Sequence, residues 1–258
     1  MSKLELDHVT VRFGGLIAVN DLQMSIKEGE LVGLIGPNGA GKTTVFNAIT
    51  GQFPPTSGRI FFEGKDITGL PPHIITTLGI ARTFQNVRLF GGLPVIDNVL
   101  VSYHSHIRSS FFEAIVRSPR YLREETNMRD HAMELLRRVG LDHLARERAG
   151  NLPYGQQRRL EIARALATAP KLLLLDEPAA GMNPAETLQL MDFIREIKEE
   201  FGLTILLIEH DMKVVMGICE RIRVLDYGIS IAEGSPSEIQ SNARVIQAYL
   251  GEEASAYA

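Results

Sequence analysis

GPNGAGKTT, residues 36–44, constrains this chain more than any other stretch. It matches G-x-x-x-x-G-K-[ST], and its flanks are those the pattern requires. Before it, ELVGLIG is a short apolar run that reads as a buried strand; after it, GKTTVFNAITG reads as a helix stopped by Gly51. A strand that turns through glycines into a helix aims unpaired N–H groups at one point, and that point binds anions. The loop of Gly36, Pro37, Asn38, Gly39, Ala40 and Gly41 can therefore wrap a phosphate. Lys42 can reach the β- and γ-phosphates of a nucleotide such as ATP. The Thr43 hydroxyl suits Mg²⁺, and Thr44 adds a further phosphate contact.

Such a loop needs an acid for the metal at the end of a neighbouring buried strand. KLLLLDEP supplies Asp176 after four leucines, with Glu177 beside it. One carboxylate then holds Mg²⁺ while the other acts as the base that orients the attacking water. LTILLIEH is a second apolar run of the kind buried in parallel sheets. It leads to His210, which would face the same crevice and donate to a γ-phosphate. Gln85, in TFQNVRLF, follows a strand and opens a helical region; its amide oxygen can touch Mg²⁺ or its water. His104, His106, His131 and His143 show no metal-ligand spacing and are assigned nothing.

LELDHVTVRF and DLQMSIKEGE read as strands, SGRIFFEGKDI as strand-turn-strand, residues 72–79 as a short helix and IARTFQ as a strand. From Pro94 to Val139 the signals are mostly helical. LREETNMRDHAMELLRRVG is an amphipathic helix with Met133, Leu136 and Val139 on one side. Residues 104–124 are basic and aromatic, and read either as a surface for a partner or as a solvated helix pair. A helix is expected over Pro184–Phe201, a hairpin around Tyr227-Gly228, and a last helix over Ala243–Leu250 with EEASAYA frayed.

The composition is that of a soluble globular protein: 258 residues, 45% hydrophobic, 22% charged. A net charge of −4 does not suggest a nucleic-acid binder. No run approaches the ~20 apolar residues of a membrane helix. MSKLELDHVT has no signal-peptide core, so a soluble or peripheral protein is expected. The single cysteine, Cys219, sits in a helical-looking apolar stretch and reads as a buried structural thiol in a reduced compartment.

One stretch is left over: LPYGQQRRLEIARAL, residues 152–166. Pro153 and Gly155 bar an earlier start, so a helix is expected to begin just after Gly155, with an anion-attracting end. The ordered set GPNGAGKTT, Gln85, LPYGQQRRLEIARAL, LLLLDEP and His210 resembles the nucleotide-binding subunits of ABC transporters over nearly the whole chain. The resemblance implies an α/β P-loop NTPase fold of the ABC ATPase type. Its mixed sheet core carries an N-terminal antiparallel β subdomain and an inserted α-helical subdomain. The expected divisions are 1–90 with 160–258 for the RecA-like ATP-binding core, and 91–159 for the helical subdomain.

It further implies that two subunits pack head to tail, so that Gly155 and Gln156 of one cap the ATP held by the other. Phe13 would stack on adenine. Lys42, Thr43, Gln85, Asp176, Glu177 and His210 match the family's phosphate, metal, base and sensor positions. The chain departs from the family's usual LSGGQ: Pro153 replaces a serine and Tyr154 a glycine. Asn183 stands where an aspartate is usual.

Within the family, RTFQNVRLF, DEPAAGMNP, LLIEHDMKVVMGICERI and VIQAYLGE resemble the LivG-type ATPases of high-affinity branched-chain amino acid importers. The ATPases of lipopolysaccharide exporters and of urea or amide importers are near relatives. This branch implies a peripheral subunit on the cytoplasmic face of the cell membrane. Its partners would be a sister ATPase, two transmembrane permease subunits and, indirectly, an extracellular or periplasmic amino-acid-binding protein. Nucleic acid is not among them: the long heptad insertions of ABC ATPases that handle it are absent from the sequence.

Overall fold

The computed structural model describes residues 2–103, 113 and 118–256. Most of the basic, aromatic stretch 104–124 lies outside the described residues. The chain packs as two units, Met1–Gln85 with Lys171–Ala258, and Asn86–Pro170.

The first unit opens with β1 (Ser2–Phe13), β2 (Leu16–Lys27), β3 (Leu31–Ile35), α1 (Lys42–Ile49), β4 (Ser57–Phe62), β5 (Lys65–Asp66), α2 (Pro72–Leu78) and β6 (Ile80–Arg82). The second holds α3 (Val95–Tyr103), α4 (Pro119–Arg138) and α5 (Tyr154–Leu166). The chain returns to the first through β7 (Leu172–Asp176), α6 (Pro184–Phe201), β8 (Thr204–Ile208), α7 (Met212–Ile218), β9 (Arg221–Asp226), β10 (Ile229–Gly234), α8 (Pro236–Gln240) and α9 (Ala243–Ala256).

Among the described residues, β2-β1-β4-β5 form an antiparallel sheet and β10-β9-β3-β8-β7-β6 a mixed one. The latter is parallel except for the β9–β10 hairpin. β3, β7 and β8 are buried at every residue, which is why they read as unbroken apolar runs. Leu4, Val19, Phe46, Ile60, Leu174 and Leu206 belong to one core cluster that joins the two sheets. Parallel pairing then aligns the carboxyl ends. Ile208 of β8 pairs with Leu34 of β3 on one side and Asp176 of β7 on the other, while Arg82 ends β6 opposite Leu174. In open α/β sheets that edge is where ligands bind.

In the second unit α3 packs on α4 and α5. The face that α4 buries carries Ala132, Leu135 and Leu136 and runs on to Val139, so Leu136 and Val139 are buried as expected while Met133 is half-buried. The boundary expected at 160 falls inside α5, which stays whole in the second unit. A helix forms cooperatively, so its middle is a poor place for a division. β2 begins at Leu16, earlier than DLQMSIKEGE suggested, because Phe13 and Leu16 close a tight hairpin. α9 continues past Leu250 to Ala256, where fraying was expected.

Candidate active site

The loop between β3 and α1 is held by contacts only glycine permits. Gly36 has φ 151°, and a Cβ there would come within 2.0 Å of the Leu225 carbonyl oxygen. Gly41, at φ 99°, would meet the Ala18 carbonyl oxygen at 2.3 Å. At these two positions the loop lies against β9 and β2 with no room for a side chain. Lys42 opens α1 and is buried; its Nζ donates to the carbonyls of Gly36 (2.6 Å) and Pro37 (2.9 Å). The ammonium is drawn in over the loop. Thr43 is exposed in the first turn of α1, and Thr44 half-buried.

Asp176 ends β7 as a buried carboxylate whose Oδ2 accepts from Arg82 Nη2 at 2.7 Å. The next residue, Glu177, takes φ 47°, a left-handed conformation that non-glycine residues adopt at a cost. Its N–H donates to the Ile208 carbonyl at 2.9 Å. Its Oε2 accepts from Gln85 Nε2 at 2.7 Å and lies 3.7 Å from His210 Nδ1. Gln85, Glu177 and His210, far apart in sequence, form one cluster beside Asp176. Phe13 stands half-exposed at the tip of β1, its ring edge-on to Phe53 with centroids 5.2 Å apart.

Gly155 and Gln156 belong to the second unit. α5 starts at Tyr154, two residues earlier than expected. The Pro153 carbonyl accepts from Gln156 N and Gln157 N, both at 3.0 Å, so proline serves as the cap and Gly155 falls inside the first turn. Proline's fixed φ and missing N–H suit it to a helix start. Tyr154, in place of the usual glycine, accepts at its hydroxyl from Arg158 Nε at 3.2 Å. The Arg158 guanidinium also lies 5.4 Å from the ring centroid and pairs with Glu161 at 3.0 Å. Asn183, in place of aspartate, caps α6: its side chain accepts from Ala185 N and Glu186 N, and Glu186 accepts from Asn183 N, all at 3.0 Å.

Sequence reasoning passed over two buried charges here. One is Arg82, three residues before Gln85. The other is Glu209, 1% exposed, at the carboxyl end of β8. A charge closing a strand that is otherwise apolar was the available signal for both. Burial pushes the Glu209 carboxyl above the ordinary carboxylate range, and hydrogen bonds from the Ala179, Asp211 and His210 amides offset this only in part.

The donors near the loop are hydroxyl, carboxylate and amide oxygens. They suit Mg²⁺, which prefers hard oxygen ligands and is commonly held by one or two carboxylates together with phosphates and water. The Gln85 amino group donates to Glu177, and its amide oxygen is an acceptor of the kind a hard cation can use.

Residues 19–180 match the family described as ABC transporter. The chain belongs to the ABC transporter family. Residues 231–255 of this ABC protein also match the family described as branched-chain amino acid ATP-binding cassette transporter. It is 49% identical over 249 residues to the high-affinity branched-chain amino acid transport ATP-binding protein BraF of Pseudomonas aeruginosa, covering 96% of this chain and 98% of that one. LivG of Salmonella typhimurium, described in the same words, matches with the same identity and coverage.

Among solved structures, the ADP conformation of an ATP-binding cassette of an ABC transporter aligns with a TM-score of 0.86 and 33% identity, over 98% of this chain and all of that one. A dimeric ATP-binding cassette in a post-hydrolysis state with ADP and phosphate aligns at 0.74 and 28%, over 90% and 98%. The fold is that of an ABC ATPase, an enzyme that couples ATP hydrolysis to transport.

Proposed function

We propose that this chain is the ATP-hydrolysing subunit of an importer of branched-chain amino acids. What carries the reading is likeness over the full length. Relatives bearing that name share 49% identity over 96% of the chain, and the C-terminal 231–255 match is specific to that transporter type.

In this reading the N–H groups of Gly36–Gly41 and the Lys42 ammonium bind the ATP phosphates, Thr44 adds a hydroxyl, and Phe13 stacks on adenine. Glu177 takes a proton from water as the water oxygen bonds to the γ-phosphorus. The bond from that phosphorus to the bridging oxygen breaks, and the electron pair leaves with ADP. Gln85 and His210, the neighbours of Glu177, hold the water and the γ-phosphate. Thr43, Asp176 and Gln85 would hold Mg²⁺, which supplies charge neutralisation on the phosphates.

Gly155 and Gln156 serve the nucleotide of a sister ATPase in a head-to-tail heterodimer. The helix end of α5 offers the charge for this without the usual serine. The unit Asn86–Pro170 meets two membrane permeases, so hydrolysis drives uptake from an external binding protein. The subunit sits on the cytoplasmic face of the membrane. Among the described residues no helix is long and apolar enough to cross it.

The test is uptake. Cells whose only copy carries Lys42→Ala are expected to lose leucine and isoleucine uptake while keeping uptake of an unrelated amino acid. Undiminished leucine uptake would overturn the reading.

A further inference from the structure

Arg82 has a fixed place among the motifs. Its Nη2 donates to Asp176 Oδ2 at 2.7 Å and its Nη1 to Asn47 Oδ1 of α1, also at 2.7 Å. The guanidinium carbon lies 5.4 Å from the Phe46 ring centroid and 5.3 Å from that of Phe84. One side chain therefore touches the phosphate-loop helix, the strand end bearing the metal-site acid, and the residue before Gln85. The Arg82 and Asp176 side chains are 8% and 6% exposed, so water screens the pair weakly.

Stability alone does not account for this arginine. Within the described residues the buried Nε of Arg82 has no hydrogen-bond partner. A buried ion pair is often replaceable by apolar side chains at little cost. What apolar side chains cannot do is occupy one oxygen of Asp176 with positive charge.

Resting on the ATPase reading above, we infer that Arg82 is a positioning residue that tunes divalent-cation affinity. It orients Asp176 through Oδ2, leaves Oδ1 as the oxygen for the metal or its water, and weakens the pull of that carboxylate. The metal therefore binds tightly only when nucleotide phosphates complete the donor set. A positive charge hydrogen-bonded to one carboxylate oxygen opposes the attraction of the other oxygen for a cation, and at the effective screening found even in buried protein sites that opposition is on the order of a tenfold change in binding.

The experiment uses the full chain with a non-hydrolysable ATP analogue and titrates Mn²⁺, read by electron paramagnetic resonance. Arg82→Met, which keeps the stem and removes the charge, is expected to bind Mn²⁺ about tenfold more tightly. Analogue binding in EDTA should match wild type. Arg82→Lys keeps the charge but cannot span Asp176 and Asn47 together; it should tighten Mn²⁺ by about threefold, and it carries the test if the Met variant does not fold. Unchanged or weaker Mn²⁺ binding in the folded variants overturns the inference and leaves the ATPase reading standing. A wild-type chain that binds Mn²⁺ no better with the analogue than without it overturns both.

Discussion

Glu209 and Ala179 are joined across the sheet edge: the Glu209 carboxylate accepts the Ala179 N–H at 2.7 Å. The same carboxylate accepts from His210 N at 3.1 Å and Asp211 N at 3.4 Å. A buried acid thus ties the loop that follows Glu177 to the loop that carries His210. Desolvation raises its pKa from 4.5, so the folded chain holds this proton to higher pH than the unfolded chain. Its contribution to stability is complete below about pH 4.5 and is lost as pH rises through the folded value. Urea unfolding of wild type and Glu209→Gln across that range should show the stability difference, wild type minus variant, falling with pH and then levelling. A difference independent of pH contradicts this.

Glu177→Gln tests the base. The amide keeps the size of the side chain but cannot take a proton from water. ATP hydrolysis is expected to fall by about 10²- to 10⁴-fold, the usual worth of a general base. Equilibrium binding of ATP should stay within a few-fold of wild type, because the proposed phosphate contacts come from the loop and Lys42 and not from Glu177. Residual turnover near wild type removes Glu177 from that role.

Asn183→Ala removes a cap and its reciprocal bond with Glu186. The expected loss is about 1 kcal/mol of stability, read as a lower denaturation midpoint. Asn183→Asp, which restores an acceptor at a helix start, should recover it. If the aspartate variant is as unstable as alanine, the capping account fails.

Cys219 lies against Gly33, whose added Cβ would come 3.0 Å from its Sγ. Burial, with the nearby Glu209 and Glu220 charges, pushes the thiol up to about 12. Thiolate is the reactive form, so iodoacetamide should leave the folded chain unmodified at pH 8 and label it at once in denaturant. Equal rates in the two states would mean that the thiol is accessible in the folded chain.

Local chemistry made much of this protein readable. β3, β7 and β8 announce themselves as apolar runs because both faces of the sheet are covered. Pro184–Phe201 and the Tyr227-Gly228 hairpin are legible from proline, glycine and periodicity, which act over a few residues. The glycine loop is legible because its backbone admits no other residue at Gly36 or Gly41.

The tertiary structure alone decided which distant side chains meet. No spacing rule links Arg82 to Asp176 and Asn47, Gln85 to Glu177, or Glu209 to Ala179. Those pairs depend on strand order and register, in which β6, β7, β8 and β3 end side by side though β6 and β7 are separated in the chain by the whole second unit. Sequence patterns report how each residue is covered. Pairing reports who covers it, and that is settled only when the parallel strands close into one sheet.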